Sequence, residues 1–201
     1  DTLAGGIRVA AAAWGMEDQA VHVKGLEPAG YDPRVLKGMG LAYGSSARGA
    51  CHLRATFYKP ELTGMVDPEV IPGKAAIFCE WEDRLTIFDT FVLCRFFRDL
   101  YQWDELATIL EGVVGTRFTV PEMQQIARNV TDDTRRFNLR EGLSVDDDQL
   151  PSRLYRDSLP ETKKGITRAQ MTEMLKEYYC ARGWNEKGEP PKAPGTDDSK
   201  E

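Results

Sequence analysis

The sequence predicts an all-α, predominantly helical fold. Apolar side chains recur at three- and four-residue steps along several segments, which is the spacing of a helix that packs one face on a core. Residues that favour helix starts and stops stand at the ends of those segments. A β-prone pattern is confined to one short run, residues 21–23.

The N-terminal part of the chain predicts two helices. An Ala-rich segment over residues 2–14 is typical of a helix, and Gly15 ends it because glycine adopts a positive φ without strain. Asp32 and Pro33 predict the start of the second helix, since Asp caps free N–H groups and Pro fits the first helical position. This helix continues to Tyr43.

The second predicted helix is unusually rich in glycine, with Gly38, Gly40 and Gly44 close together. Each glycine costs roughly 1 kcal/mol relative to alanine in a helix, so three of them need a reason. Close approach of backbone or ligand is one explanation, and tight helix–helix packing is the other. The sequence leaves both open.

A long apolar-rich segment follows over residues 74–97, and it contains a helical stripe that faces a core. A carboxylate and a thiol lie near its end, between aromatic residues. The stripe that we expect to face the core consists of Ile77, Phe78, Trp81, Leu85 and Phe88.

Three more helices are predicted in the second half of the chain. Asp104 or a nearby residue is expected to cap one that ends at Gly115, and Thr119 or Val120, with Pro121, starts the next. The last runs over residues 167–179. The apolar face of the helix after Pro121 consists of Met123, Ile126, Val130 and Phe137.

Two segments predict little regular structure. Residues 150–159 read as an irregular wrap bounded by prolines, and residues 185–201 read as a flexible tail rich in Pro, Gly, Lys and acids. In the sequence around residues 135–153, several arginines stand near three consecutive aspartates. We expect a surface or interdomain ion-pair network of Arg135, Arg136, Arg140 and Arg153 with Asp146, Asp147 and Asp148.

Composition excludes several classes of protein. With 201 residues, 41% hydrophobic and 29% charged, the chain can bury a sizeable core, which argues against global disorder. A net charge of -6 and the lack of a dense Lys/Arg stripe argue against nucleic-acid binding. No run approaches the ~20 apolar residues of a membrane span, so we expect no span and a cytoplasmic location. The start at Asp1, within a helical pattern, predicts a fragment.

Few residues could carry chemistry, because the common nucleotide-binding, hydrolase and zinc signatures are absent. Residues 48–54 contain Arg48, Gly49, His52 and Arg54, which can present fixed positive charge, bare backbone and a titratable base. A structural histidine is the alternative interpretation of His52.

The second candidate stretch, residues 89–97, contains Asp89 and Cys94 among aromatic residues. A carboxylate in an apolar stretch needs donors, and a thiolate can hold an iron–sulfur cluster, although one Cys cannot hold a cubane. A buried, unreactive cysteine is the alternative. The four cysteines form no C-x-x-C pair, which argues against a zinc ribbon.

Several blocks of the sequence follow one another in a fixed order: residues 23–27, 32–34, 48–54, 89–94, 137–142, 178–179 and 182–184. Together they resemble the aldehyde:ferredoxin oxidoreductase family, and the likeness spans about residues 5–190. The resemblance implies the C-terminal helical domains of that family. Residues 1–60 would end its middle, cofactor-facing domain, residues 61–184 would form its C-terminal domain, and residues 185–201 would be the tail.

The resemblance also implies a chemistry for the parent protein. A tungsten, or occasionally molybdenum, atom held by two pterins beside a 4Fe–4S cluster would oxidise aldehydes to carboxylic acids, with ferredoxin as electron acceptor. His52 would donate or accept a proton near the metal, and Cys94 would be the last of the cluster ligands. Contacts to pterin or its phosphate would fall to Arg48, Gly49, Arg54, Asp89 and the backbone at Leu93.

Two departures from the family pattern matter. Val92 stands where the family's D-x-x-G-L-C element has glycine, which puts the geometry of the pterin contact in doubt. The N-terminal pterin-binding domain and the C-x-x-C-x-x-x-C segment are not in this sequence. We therefore expect the isolated chain to bind neither cofactor and to be inactive, with that domain as its partner.

Three further expectations follow from the resemblance. We expect the parent protein to form a homodimer. The tungsten subunit of an aromatic acyl-CoA reductase of the benzoyl-CoA type is the alternative enzyme, because relatives with that role share these C-terminal motifs. A cofactor-free helical interaction module is the alternative from a different class of protein.

Overall fold

The structure is a computed structural model that describes residues 1–193 and confirms the predicted all-α fold. Its helices are α1 (Gly6–Trp14), α2 (Lys37–Ser45), α3 (Tyr58–Leu62), α4 (Lys74–Thr90), α5 (Trp103–Val114), α6 (Val120–Arg140), α7 (Ser152–Arg156) and α8 (Arg168–Arg182). Short 3-10 turns are Leu3–Gly5, Arg95–Phe97 and Val145–Asp148. Among the described residues, the β-prone run forms only an isolated bridge from Val23 to Leu26.

Several helix ends follow the predicted signals. Of the two predicted starts of α6, Thr119 is its cap, because its hydroxyl accepts a hydrogen bond from the N–H of Glu122. The cap of α5, predicted at Asp104 or nearby, is Gln102, and Asp104 lies in the first turn. The predicted start at Asp32 is wrong, since its carboxylate closes a turn on the N–H of Arg34 and α2 begins at Lys37.

Two clusters of buried apolar side chains hold the helices together. The larger lies between α2, the first half of α4 and α8, and the smaller lies between the second half of α4, α5 and α6. The larger cluster contains Met39 and Tyr43 as well as Phe78 and Met174, so it draws on both sides of the boundary predicted at residue 60. The division of the chain into two domains stays a prediction.

The predicted apolar stripes are only partly correct. On α4, Phe78, Leu85 and Phe88 are buried, whereas Ile77 is exposed. On α6, Met123 is fully buried but Val130 and Phe137 are exposed. The reason is that the second half of α6 turns a polar face, centred on Arg135, towards the protein.

The glycines of α2 allow close packing. A Cβ atom on Gly44 would lie 2.4 Å from the carbonyl oxygen of Asp148 and 2.5 Å from the Met171 methyl group. A Cβ atom on Gly38 would lie 2.4 Å from the ring of Phe57. Gly44 is therefore explained by the close approach of both backbone and a side chain, and Gly38 by close packing against a side chain.

A buried ionic cluster joins four parts of the fold. Asp148 is fully buried, and its carboxylate contacts Lys24 Nζ at 2.8 Å, Arg135 Nη2 at 2.7 Å and the Tyr179 hydroxyl at 2.6 Å. The expected ion pair between Arg135 and Asp148 forms, but the surface location is wrong because both side chains are buried; the interdomain alternative stays a prediction. Burial is the main cause that lowers the pKa of Lys24, and Asp148 opposes it.

A second ionic cluster fixes α8 to α4. The guanidinium group of Arg182 contacts Glu82 and Asp83, both at 2.5 Å, and the Tyr178 hydroxyl donates to Glu82 at 2.8 Å. All of these side chains are buried. The cluster therefore sets the position of α4 along α8.

The predicted tail begins with a segment that contacts α6. Arg135 Nε donates to the carbonyl of Gly188 at 2.9 Å, and Arg136 donates to the carbonyl of Pro191. The remainder of the predicted tail, residues 194–201, lies outside the described residues. Within residues 1–193, no helix combines the length and apolar character needed to cross a bilayer.

The C-terminal end of α4 has a Schellman geometry. The N–H of Leu93 donates to the carbonyl of Phe88, and the N–H of Val92 donates to that of Asp89. This motif places Val92 in the left-handed region, with φ at 57°. A β-branched residue is strained there, and the conformation is the one that the glycine of the family pattern adopts freely.

We expect Gly44→Ala to destabilise the protein by about 2 kcal/mol, because the added methyl group meets backbone and a buried Met. The matched control is Gly112→Ala in α5, where an added Cβ has open space. It should stabilise the protein by up to about 1 kcal/mol through helix propensity. Urea unfolding of both variants measures the difference, and equal effects would contradict the packing role of Gly44.

We expect Val92→Gly to stabilise the protein by about 1 kcal/mol, because it removes backbone strain from a side chain that is 91% exposed and packs on little. Val113→Gly is the control, since Val113 is 80% exposed but lies in a helix, where glycine destabilises. Thermal and urea unfolding of the two variants should give shifts of opposite sign. Destabilisation by Val92→Gly would show that the left-handed backbone is not strained.

Candidate functional site: the cleft at the end of α4

The predicted site residues lie on two neighbouring segments. One is the loop between α2 and α3, which carries residues 48–54, and the other is the end of α4 with residues 91–97. Gly49 has a φ of 106°, and a Cβ atom there would lie 2.2 Å from the carbonyl oxygen of Val23. The loop therefore packs its backbone directly on the 23–26 turn, which only glycine permits.

Asp89 joins the two segments. Its carboxylate contacts Arg54 Nη1 at 2.7 Å and Arg95 Nη2 at 2.5 Å. Arg95 also donates to the backbone carbonyl of Arg54 at 3.4 Å. Burial lowers the pKa of Arg95, and its hydrogen bond to Asp89 opposes that effect. The result is one carboxylate held between two guanidinium groups.

These groups line a surface cleft of about 340 Å³. Three arginines and one carboxylate give it hydrogen-bond donors in excess of acceptors. Arg54 Nε is buried and has no hydrogen-bond partner within the protein, so it is a donor without an acceptor. The lining residues are Arg48, Cys51, Leu53, Arg54, Asp89 and Arg95.

The cleft fits the polar edge of a pterin or a phosphate group. Arginine forks bind phosphate in pairs of hydrogen bonds, and a carboxylate accepts from ring N–H groups. At Leu93 the backbone N–H already donates to the carbonyl of Phe88 at 2.9 Å, so this N–H is not free for a pterin. Arg48, Arg54 and Asp89 therefore come together as predicted side chains of one site, and the assignment of their ligand stays a prediction.

A second cleft, of about 270 Å³, opens between α4 and α6 and shares Arg54 and Asp89 with the first. Hydroxyl groups of Thr86, Thr90 and Thr131 contribute to its walls. The Arg54–Asp89 pair thus separates two openings of the same surface.

Cys94 is exposed and lies just past the end of α4, so the alternative of a buried cysteine in a helix is wrong. Among residues 1–193, no group of three or more His, Cys, Asp or Glu side chains could hold a metal ion. At this end of α4, Cys94 therefore offers one exposed thiol, which fits one corner of a 4Fe–4S cluster.

His52 lies beside the cleft and is not among its lining residues. Its ring is half-buried near Tyr31 and Tyr58, with centroid distances of 5.7 Å and 6.2 Å. Burial lowers the pKa of His52, and the positive charges of Arg48 and Arg98 lower it further. A neutral imidazole, able to accept a proton, is therefore favoured near neutral pH.

Sequence reasoning missed three residues of this region. Arg95 is one of the two arginines that contact the Asp89 carboxylate, and in the sequence it stands directly after Cys94. Tyr31 and Arg98 approach His52 or its neighbours from distant parts of the chain. Only the position of Arg95, six residues after Asp89, could have been read as a signal.

Comparison with known proteins places this architecture in a family. The family model described as aldehyde ferredoxin oxidoreductase, domains 2 and 3, matches residues 1–194. The tungsten-containing aldehyde ferredoxin oxidoreductase of Pyrococcus furiosus is 34% identical over 198 residues, which cover 96% of this chain and 33% of that protein. That of Thermococcus kodakarensis is 31% identical over 197 residues, with 96% and 33% covered. The chain thus spans about a third of the length of these relatives.

A solved structure shares the fold. It is the active site complex BamBC of benzoyl coenzyme A reductase in complex with 1,5 dienoyl-CoA, with a TM-score of 0.50 and 21% identity over 63% of this chain and 19% of that chain. At this identity the likeness concerns the fold alone. On the family match and the curated relatives, the chain belongs to the aldehyde ferredoxin oxidoreductase family, whose C-terminal region it represents.

Proposed function

We propose that this chain is the C-terminal part of an oxidoreductase that oxidises aldehydes to carboxylic acids and passes the electrons to ferredoxin. The reaction takes place at a tungsten, or molybdenum, bispterin centre next to a 4Fe–4S cluster. The observation that carries the proposal is the cleft in which Arg54 and Arg95 hold Asp89 and Arg54 Nε lacks a partner.

In this proposal the cleft binds one pterin. Asp89 accepts hydrogen bonds from the ring, while Arg48 and Arg54 bind its phosphate. Because Arg95 contacts both oxygens of the Asp89 carboxylate, that group is held in one orientation before the pterin arrives. Gly49 keeps the Arg48 segment close to the 23–26 turn and so fixes the position of the phosphate contact.

The overall reaction converts an aldehyde and water into a carboxylic acid, two protons and two electrons. When bound, the metal centre supplies the acceptor for the electron pair. His52 accepts a proton at an imidazole nitrogen as the acid forms, which requires its neutral form. The lowered pKa of His52 favours that form.

Cys94 supplies the thiolate that this chain contributes to the cluster. Its exposure leaves it open to a partner surface, and Phe96 beside it is also exposed. The remaining ligands come from the N-terminal part of the parent protein. The isolated chain is therefore inactive. In this proposal the complete protein is a homodimer and is located in the cytoplasm.

The alternative enzyme function is reduction of an aromatic acyl-CoA thioester. Its support is the shared fold with the benzoyl coenzyme A reductase complex, which says nothing of the substrate. Assays of the complete protein with aliphatic and aromatic aldehydes, and with aromatic acyl-CoA thioesters, separate the two. A cofactor-free interaction module has less support, because it leaves the unpartnered Arg54 Nε unexplained.

Two substitutions in the complete protein test the roles of the site residues. Cys94→Ser should lower the iron content, because a hydroxyl group is a poor cluster ligand. His52→Asn should retain tungsten and iron but lower kcat by about 10²- to 10⁴-fold, the usual contribution of a general acid or base.

Cys180→Ser is the matched control, since Cys180 is also exposed but lies on α8. It should leave metal content and kcat unchanged. Elemental analysis and steady-state kinetics measure both quantities. Full iron content in Cys94→Ser would contradict the cluster role, and a wild-type kcat in His52→Asn would contradict the proton role.

A further inference from the structure

His52 faces a stacked pair of tyrosine rings. The rings of Tyr31 and Tyr58 are nearly parallel, with an interplanar angle of 8° and centroids 3.9 Å apart. The imidazole is tilted against both, by 37° to Tyr31 and 44° to Tyr58. Its surroundings on this side are therefore a flat aromatic surface that is fixed by stacking.

Tyr31 and Tyr58 are each fixed by a hydrogen bond to a different part of the fold. The hydroxyl of the fully buried Tyr43 lies 3.0 Å from the carbonyl oxygen of Tyr31 and 3.2 Å from that of Ala29, so α2 fixes the Tyr31 loop. Tyr58 is the first residue of α3, and its hydroxyl accepts a hydrogen bond from Arg98 Nη2 at 3.3 Å.

Arg98 is itself fixed at both ends. Its Nη1 donates to the carbonyl of Arg95 at 2.9 Å, and its own carbonyl accepts from Arg84 Nη1. The guanidinium group therefore bridges the loop after α4 and the start of α3. Because Cys94 lies on the same loop, the bridge ties the position of the Cys94 segment to the aromatic pair around His52.

We propose that Arg98 and Tyr58 are positioning residues for His52: the Tyr58 ring packs near the imidazole, and its hydroxyl holds the Arg98 guanidinium so that a fixed positive charge stays on this side of the site. The proposal rests on the proposed function, in which His52 accepts a proton, and it names the residues that prepare it for that step. Neither residue needs to touch substrate or cofactor.

The charges around His52 support this proposal. Burial is the largest cause that lowers the pKa of His52, and the positive charges of Arg48, on the loop after α2, and Arg98, on the loop after α4, lower it further. Tyr31 and Tyr58 contribute neutral hydroxyl groups, and burial raises the pKa of Tyr58. The nearby acid, Asp99, is paired with Lys59 and so adds little negative charge. Loss of the Arg98 charge should stabilise the protonated imidazole and raise the pKa of His52.

The test is an NMR titration of the imidazole groups of this chain. The chain has two histidines, so His52→Gln assigns the remaining signal to His22. In Arg98→Met the titration midpoint of His52 should move to higher pH, and in Arg98→Lys, which keeps the charge, it should stay near that of the wild type. His22 serves as an internal control in each spectrum.

Arg117→Met is the matched control, because Arg117 is an exposed arginine on a distant loop, paired with Glu111. It should leave His52 unmoved. Tyr58→Phe keeps the stacked ring but removes the acceptor of the Arg98 hydrogen bond, so it should also move the His52 midpoint upward. An unchanged midpoint in Arg98→Met overturns the proposal. If that variant does not fold, an unchanged midpoint in Tyr58→Phe overturns it.

A second arm separates this proposal from the proposed function. In the complete enzyme, Arg98→Met should shift the acidic limb of the pH–rate profile in the same direction as the NMR midpoint. An NMR shift without a change in the pH–rate profile would support the positioning role and overturn His52 as the proton acceptor. Because the titration needs no cofactor, it tests positioning whether or not the enzyme is active.

Discussion

The site depends on one buried carboxylate, Asp148. A buried charge is tolerated only when it is paired and hydrogen-bonded, and removal of one partner typically costs about 3–5 kcal/mol. Asp148 binds Lys24, Arg135 and Tyr179, which belong to the loop before α2, to α6 and to α8. Its backbone also packs on Gly44 of α2. The carboxylate therefore specifies how four separate segments meet.

The position of the site loop follows from this constraint. Lys24 is anchored by Asp148, and it lies within the 23–26 turn against which Gly49 packs. Gly49 in turn places the segment that carries His52 and Arg54. On the other side of the cleft, Arg182 fixes α4 through Glu82 and Asp83, and α4 ends at Asp89 and Cys94. Two buried ionic clusters thus set the two walls of the cleft.

The sequence predicts the longer helices because their signals are local, whereas it does not predict the short helices α3 and α7. Capping residues such as Thr119 and Thr167 act within one turn, and the stop at Gly15 needs only a positive φ. The resemblance identified Arg54 and Asp89, which the structure brings to 2.7 Å. That pairing could not be read from spacing alone, since the residues are 35 positions apart and meet only through the fold.

The predictions that were wrong concern contacts between residues that are far apart in the sequence. Burial of Asp148 depends on Lys24, 124 positions away, so the sequence could not show that one member of the expected surface or interdomain ion-pair network is buried. The exposed Val130 and Phe137 on α6 were expected in the core because periodicity cannot show that a polar face, through Arg135, is the one that packs. The stacking of Tyr31 on Tyr58 likewise joins loops that no local pattern relates.

The central claim is that this chain provides one wall of a metallopterin site and cannot complete it alone. The most direct measurement is the tungsten, molybdenum and iron content of the purified chain, compared with that of the complete protein. The account predicts no stoichiometric metal in the chain and both tungsten, or molybdenum, and iron in the complete protein. Stoichiometric tungsten or iron in the chain alone would contradict it, because Cys94 and one cleft would then suffice.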